Sequence, residues 1–248
     1  MKLLVIVLCL YSEYALMHAY SMKREAHWTW YLNKMLGLIS KQDVLMKPFI
    51  LLPLLVLPLV LVVGVVNYLV CGIFYGFIGL LIQIAVFFYC LGPQNPFYPV
   101  IDENDKGNAQ AALYFVHINR SLFTVMTIYI IFGPLGILVY RAIERSTSIA
   151  AVSGMATKLT DLIEYIPARI TALLYLLVGN FQRGLVSLTK YLLTAPANNS
   201  ELLKDCALSA ATVKDDETIT IVFAESLVTH ATIVYLVFLA FLTLVAWM

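Results

Sequence analysis

Side chains that could bind a ligand gather at a few points of an otherwise apolar chain. One point is Pro167, where two acids, Asp161 and Glu164, precede a base, Arg169. Residues three apart share a helix face, so Asp161 and Glu164 lie together. Arg169 falls in the first helical turn after the proline, where its charge opposes the helix dipole. A base in that position needs a specific partner, and we expect either Glu164, in a structural salt bridge, or a bound anion.

A second point follows an apolar run and contains Arg141, Glu144 and Arg145. Arg141 and Glu144 are three apart and can pair along a helix. Two guanidinium groups can also hold an anion through forked hydrogen bonds. The alternative is ordinary positive charge at the end of a membrane span.

Asn119 lies just before the same apolar run, between His117 and Arg120. A polar group at the edge of a span can contribute to a functional pocket. The alternative is a helix-end residue among lipid headgroups.

Glu13 lies within the apolar run at the start of the chain. An ionisable group at membrane depth is a functional candidate, and His18 or Lys23 could pair with it. The alternative is an interfacial side chain that reaches water.

The composition requires these groups to be positioned by membrane helices. Of the 248 residues, 61% are hydrophobic and only 12% are charged, about half the share of a soluble domain. Mean hydropathy is +0.87. The formal net charge of +1 leaves no basic excess for binding nucleic acid. These values exclude a disordered chain, a fibre and an ordinary soluble enzyme, and they indicate a polytopic membrane protein.

Motifs for metal or cofactor chemistry are missing from the sequence. The four cysteines form no CxxC pair, which leaves a zinc site without support. Walker A, GxGxxG, HExxH and GxSxG elements are also missing. We therefore expect no metal, no cofactor and no catalytic residue of these types, although the question of an enzyme stays open.

Apolar runs predict an all-α fold that forms a single membrane-embedded domain over 1–248. About five spans are expected, at 2–20, 48–66, 70–91, 121–140 and 229–248. The first is interpreted as a retained helix rather than a cleaved signal, because Glu13 and several tyrosines occupy the cleavage region. A basic and aromatic stretch, 21–47, is typical of a segment lying along the headgroups.

The remaining elements are bounded by turn residues. A hairpin break is expected near Asn67-Tyr68, and a helix break at Gly133-Pro134. Helices should restart near Ala109 and again at Pro167, the latter as an amphipathic helix within 158–194. The polar and amphipathic region 141–228 should also contain a small-residue helix near 200–211. Gly72, Gly76 and Gly79 have the spacing that permits close helix packing.

Residues 119–178 resemble the CobD/CbiB superfamily of cobalamin-biosynthesis membrane proteins. The matching segments are N-R-S-L-F, F-G-P-L-G-I-L-V-Y-R-A-I-E and L-T-D-L-I-E-Y-I-P-A-R-I-T-A-L, of which the last is the most specific. Within the superfamily the chain looks more like the AmpE branch. That resemblance rests on Glu13, on His27-Trp28, on a short loop before the third segment and on the ending A-F-L-T-L-V-A-W-M.

The sequence departs from the superfamily at its acids. Of the E-N-x-x-D-G stretch only Asn119 matches, and the N-T-L-D-S stretch is replaced by Glu144-Arg145-Ser146-Thr147-Ser148. The resemblance implies an enzyme that joins an aminopropanol unit to a corrinoid carboxylate. Such chemistry needs acidic groups and metal to manage charge. AmpE proteins share this kind of loss, which agrees with a non-enzymatic role.

The resemblance implies a multi-pass protein of the bacterial inner membrane that regulates signalling linked to cell-wall status and β-lactamase induction. We expect a small anionic ligand to bind in a pocket formed by the polar groups described above: Asn119, Arg141, Glu144, Asp161, Glu164 and Arg169. The lipid bilayer and another membrane protein are the other expected partners. The alternatives are a cobalamin-biosynthesis amide synthase and a membrane scaffold subunit of a larger complex.

Overall fold

A computed structural model describes residues 2–15, 19–39, 47–70, 77–92, 107–212 and 219–245. The described residues form helices and connecting turns without a β-strand, which confirms the all-α prediction. Three helices are long and apolar enough to cross a membrane: Pro48–Leu69, Asn108–Ser146 and Ile221–Val245. The count of about five spans stays a prediction.

Contacts divide the chain into two compact units, which are described separately. The first unit contains Met1–Pro93 and Val125–Ile163, and the second contains Gln94–Thr124 and Glu164–Met248. The single-domain interpretation of 1–248 stays a prediction.

The first unit contains α1 to α4, α6 and α7. The bounds are Lys2–Ala15 for α1, Ala19–Ile39 for α2, Pro48–Val70 for α3, Phe77–Cys90 for α4, Thr124–Ser146 for α6 and Ser153–Ile163 for α7. Within this unit an apolar cluster joins α2, α3 and α7 through Leu32, Leu51, Leu55 and Ala156.

One expectation for the first unit was wrong, the hairpin break near Asn67-Tyr68. Helix α3 continues through Asn67 and Tyr68. Both residues have the amide hydrogen that a helix needs, and both are only slightly less favourable than alanine within a helix. The described part of the second arm of the hairpin covers Phe77–Cys90. Within the stretch 21–47 the described residues are helical as far as Ile39, and its position along the headgroups stays a prediction. Gly79 is buried in α4, while Gly72 and Gly76 lie outside the described residues.

The predicted break at Gly133-Pro134 is confirmed. Gly133 has φ 74° and ψ −162°, in the region that glycine adopts without a steric cost. Pro134 has no amide hydrogen, so the carbonyl oxygen of Ile130 loses its normal helical donor. The ammonium of Lys2 donates to that oxygen at 2.7 Å. A basic side chain from α1 therefore replaces the missing backbone hydrogen bond in α6.

The second unit contains α5, a π-helical turn and α8 to α11. The bounds are Asn108–Ile118 for α5, Asn119–Phe123 for the π segment, Tyr165–Val178 for α8, Phe181–Tyr191 for α9, Asn199–Ala211 for α10 and Ile221–Val245 for α11. Helices near 109 and 200–211 were predicted. The final helix begins at Ile221 instead of residue 229. The residues before 229 are mostly apolar, and the single acid among them, Glu225, does not interrupt the helix.

The predicted amphipathic helix after Pro167 is two helices rather than one. Gly179 and Asn180 interrupt it, and the Asn180 side chain accepts a hydrogen bond from the Arg183 amide at 3.3 Å. This is an N-cap, which starts a new helix, α9. Pro167 lies in the first turn of α8, where its missing amide hydrogen leaves no helical bond unmade.

The second unit also yields a prediction for Cys206, which is fully buried in α10. Burial, assisted by the negative charge of Asp205, raises the pKa of this thiol to about 12. Because the thiolate is the reactive form, the native thiol should react with maleimide at pH 8 at least about 100-fold more slowly than a free cysteine. Labelling should rise only as the pH approaches 12 or when the chain unfolds.

Peptide mass mapping of the labelled full-length chain measures this directly, with the SDS-unfolded chain as the control. Rapid modification of Cys206 in the native chain would contradict the buried placement.

Candidate functional site

The structure assigns the predicted site residues to both units. Arg141, Glu144 and Asp161 belong to the first unit, and Asn119, Glu164 and Arg169 belong to the second. Glu13, also in the first unit, is buried in α1 with 2% of its surface exposed. Both partners suggested for it, His18 and the Lys23 side chain, lie outside the described residues.

In the first unit Arg141 and Glu144 pair as the spacing predicted. Arg141 is buried, and its Nη1 lies 3.4 Å from Glu144 Oε2. Its Nε donates to the carbonyl oxygen of Cys90. Arg145 Nε lies 3.5 Å from the same Glu144 oxygen. Glu144 is therefore held between two arginines, while Asp161 is half-buried in α7.

Beside this pair is a cavity of about 530 Å³. Its walls include Trp28, Asn33, Glu144, Arg145 and Thr147. Three hydroxyl residues stand where the superfamily has its N-T-L-D-S segment, and each donates to a nearby backbone carbonyl. Ser146 donates to Ala142 at 2.7 Å, Thr147 to Glu144 at 2.6 Å and Ser148 to Arg145 at 2.9 Å. No carboxylate of the superfamily kind stands at this position.

In the second unit Glu164 pairs with Arg120. The carboxylate is 2% exposed, and one of its oxygens lies 3.2 Å from Arg120 Nε. Glu164 occupies the turn between α7 and α8, while Arg120 belongs to the π segment. Arg120 was not among the predicted site residues. Its partner lies 44 residues away in the sequence, so no local spacing indicates the pair.

Arg169 has different partners from those expected. It donates to the carbonyl oxygens of Leu192 at 2.9 Å, Tyr165 at 2.8 Å, Thr194 at 3.1 Å and Tyr191 at 3.5 Å, and to Asn199 Oδ1 at 2.9 Å. Its guanidinium carbon lies 3.4 Å from the Tyr165 ring centre. The bonds to Tyr191, Leu192 and Thr194 satisfy carbonyls at and just after the end of α9, where a helix leaves its last carbonyls without donors.

Asn119 opens the π segment, a turn that contains an extra residue. The amide of Thr124 donates to the Asn119 carbonyl, five residues back. Such bulges are frequent at functional sites because they redirect side chains within a helix. Phe115, Asn119 and Phe123 follow one another at intervals of four and share a helix face.

That face packs against α8. The Tyr175 ring lies 5.1 Å from the Phe115 ring and 5.9 Å from the Phe123 ring, measured between centres. Asn119 lies between the two phenylalanines on the helix face that packs against Tyr175. Thr171 is one turn before Tyr175 on the same side of α8.

Five side-chain atoms of the second unit have no hydrogen-bond partner within the described part of the chain. They are Asn119 Nδ2, Asn119 Oδ1, Thr124 Oγ1, Thr171 Oγ1 and Tyr175 Oη, all buried from solvent. Each residue in this group is 0% exposed. Most buried polar atoms in proteins are bonded, so several unpaired ones in one unit need an explanation. We call Asn119, Thr124, Thr171 and Tyr175 the unpaired polar cluster.

Sequence analysis found Asn119 but missed the rest of the cluster. Thr171 belongs to the P-A-R-I-T-A-L segment, whose specificity was noted without assigning its threonine a role. That motif position was the available signal. Tyr175 gave none, because it lies within an apolar helical run.

The fold and this cluster define a helical protein with membrane-compatible helices and a buried polar interface. Neither a protein-family profile nor a solved structure matches the chain. An aligned stretch of 87 residues is 33% identical to the probable cobalamin biosynthesis protein CobD of Pyrococcus furiosus. That stretch covers 32% of this chain and 30% of the relative. The similarity supports the CobD/CbiB superfamily and does not distinguish the AmpE branch.

Proposed function

We propose that this chain is an integral membrane protein of the CobD/CbiB type that binds a small polar ligand between the π segment and α8. The observation that carries the proposal is the unpaired polar cluster in the second unit. Intramembrane polar residues are costly and mark functional sites by default. A ligand that bonds to them would supply the partners that the protein lacks.

Binding requires the interface to open. The cluster atoms are closed to a water-sized probe, so a ligand reaches them only when α8 separates from the π segment. Each unsatisfied buried group disfavours the closed state by about 1–3 kcal/mol. The same groups therefore lower the free-energy cost of opening, and the ligand stabilises the open arrangement.

The local similarity to CobD supports a role in cobalamin biosynthesis as the first biological context. In this role the chain would bind a corrinoid precursor. The missing acids make a binding function a better proposal than formation of the amide bond, because no carboxylate stands where the superfamily has its N-T-L-D-S aspartate.

An AmpE-like regulatory role in the bacterial inner membrane is the second candidate. The observation in its favour is the replacement of the N-T-L-D-S stretch by Glu144-Arg145-Ser146-Thr147-Ser148, a kind of loss that the AmpE branch shares. In this role, occupancy of the site would report cell-wall status and alter β-lactamase induction.

Deletion of the gene in its host tests both contexts. A fall in cellular cobalamin that is restored by the wild-type gene supports the first context. Normal cobalamin with altered β-lactamase induction supports the second. If neither quantity changes, both contexts are wrong. Complementation with Asn119→Ala should fail in whichever context holds, while Lys190→Ala, an exposed change in the same unit, should complement fully.

A further inference from the structure

We infer that the ligand group bound by the unpaired polar cluster is neutral and both donates and accepts hydrogen bonds, as a primary amide or an alcohol does. This inference rests on the proposed binding function. It replaces the anionic ligand that the sequence suggested, and it follows from the charges and hydrogen-bonding atoms of the second unit.

The positive charges near the cluster are already balanced or occupied. The Nε of Arg120 lies 3.2 Å from the buried carboxylate of Glu164, and the negative charge of Glu164 balances the positive charge of Arg120. The guanidinium of Arg169 donates to four backbone carbonyls and to the side-chain oxygen of Asn199. The unbalanced positive charge is that of Arg169, whose donors already bond to the protein. An anion entering this interface would have to displace those bonds and would also meet the buried carboxylate of Glu164, which makes its burial unfavourable.

The unpaired atoms themselves are neutral and have mixed character. Asn119 offers a donor at Nδ2 and an acceptor at Oδ1, and both lack partners. The hydroxyls of Thr171 and Tyr175 can each donate and accept. A carboxylate only accepts, so it would leave Asn119 Oδ1 unpaired. A primary amide can bond reciprocally to both atoms of Asn119 and still reach a hydroxyl.

Isobutyramide and isobutyrate are a matched pair of probes, alike in shape and different in charge. The full chain in detergent micelles is titrated with each at pH 7.5, where isobutyrate is ionised. Dissociation constants are measured by ligand-detected NMR, and hydrogen exchange is measured for peptides that cover 115–123 and 165–178. We expect isobutyramide to bind about 100-fold more tightly than isobutyrate, because the site hydrogen-bonds neutral groups and does not compensate a charge.

Two variants separate site binding from partition into the micelle. Thr171→Val removes one hydroxyl at constant shape and should weaken isobutyramide binding about tenfold, whereas Lys190→Ala should leave it unchanged. Equal binding of isobutyramide to wild type and to Thr171→Val would overturn the inference. Equal or tighter binding of isobutyrate would overturn the neutral class while leaving the binding site in place. Failure of both probes to bind would overturn the proposed binding function itself.

Discussion

Arg169→Ala is expected to lower the free energy of unfolding by about 2 kcal/mol, because several partly exposed carbonyls then lose a charged hydrogen-bond donor. The guanidinium joins the start of α8 to the end of α9 and to Asn199 at the start of α10. Unfolding by SDS in mixed micelles, followed by circular dichroism, measures the loss.

Arg169→Lys and Lys190→Ala are the matched controls for that prediction. Lysine keeps the charge but cannot reproduce the planar set of donors, so it should recover less than half of the lost stability. Lys190 is exposed on α9, and its replacement should change stability by no more than about 0.5 kcal/mol. Full recovery by lysine would show that charge alone, rather than the hydrogen-bond geometry, stabilises this junction.

Gly179→Ala is expected to destabilise the second unit by about 2–3 kcal/mol through overpacking. A Cβ atom at this position would lie 2.4 Å from the backbone oxygen of Ala210, which no side-chain rotation can relieve. The same oxygen accepts a hydrogen bond from the Asn180 amide at 2.8 Å. Relief of the clash would therefore break this bond between α10 and the α8–α9 turn.

Gly154→Ala controls for the general effect of adding a methyl group. A Cβ at Gly154 would have no atom within 4 Å, and the residue lies in the first turn of α7. This change should be neutral or stabilising, by up to about 1 kcal/mol, because alanine favours helix. The measurement is again SDS unfolding, and equal stability of both variants would contradict the close approach of α10 to Gly179.

The sequence predicted the helices where local chemistry decides the outcome. Pro167 lies in a first helical turn, Gly133-Pro134 interrupts α6, and α10 covers the predicted small-residue segment. At Pro167 and at Gly133-Pro134 a residue with a strong backbone preference marks the boundary. The break at Gly179-Asn180 was missed, because apolar residues continue on both sides and hide the start of α9.

The candidate site was harder to predict, because its defining property is the absence of partners. Sequence reasoning selected ionic residues, since charge is expensive in a membrane. In the second unit Arg169 and Glu164 have protein partners, while Thr171 and Tyr175 have unpaired hydroxyls. Whether a hydroxyl finds a partner depends on tertiary packing that a one-dimensional pattern does not contain.

The free energy of unfolding of Thr171→Val tests the central claim most directly. Valine has nearly the same shape as threonine without the hydroxyl, so it removes an unsatisfied buried group at little packing cost. The account predicts that the variant is more stable than wild type by about 1 kcal/mol in ligand-free micelles. A loss of stability of similar size would show that the Thr171 hydroxyl is already bonded within the protein, which would contradict an unpaired polar cluster awaiting a ligand.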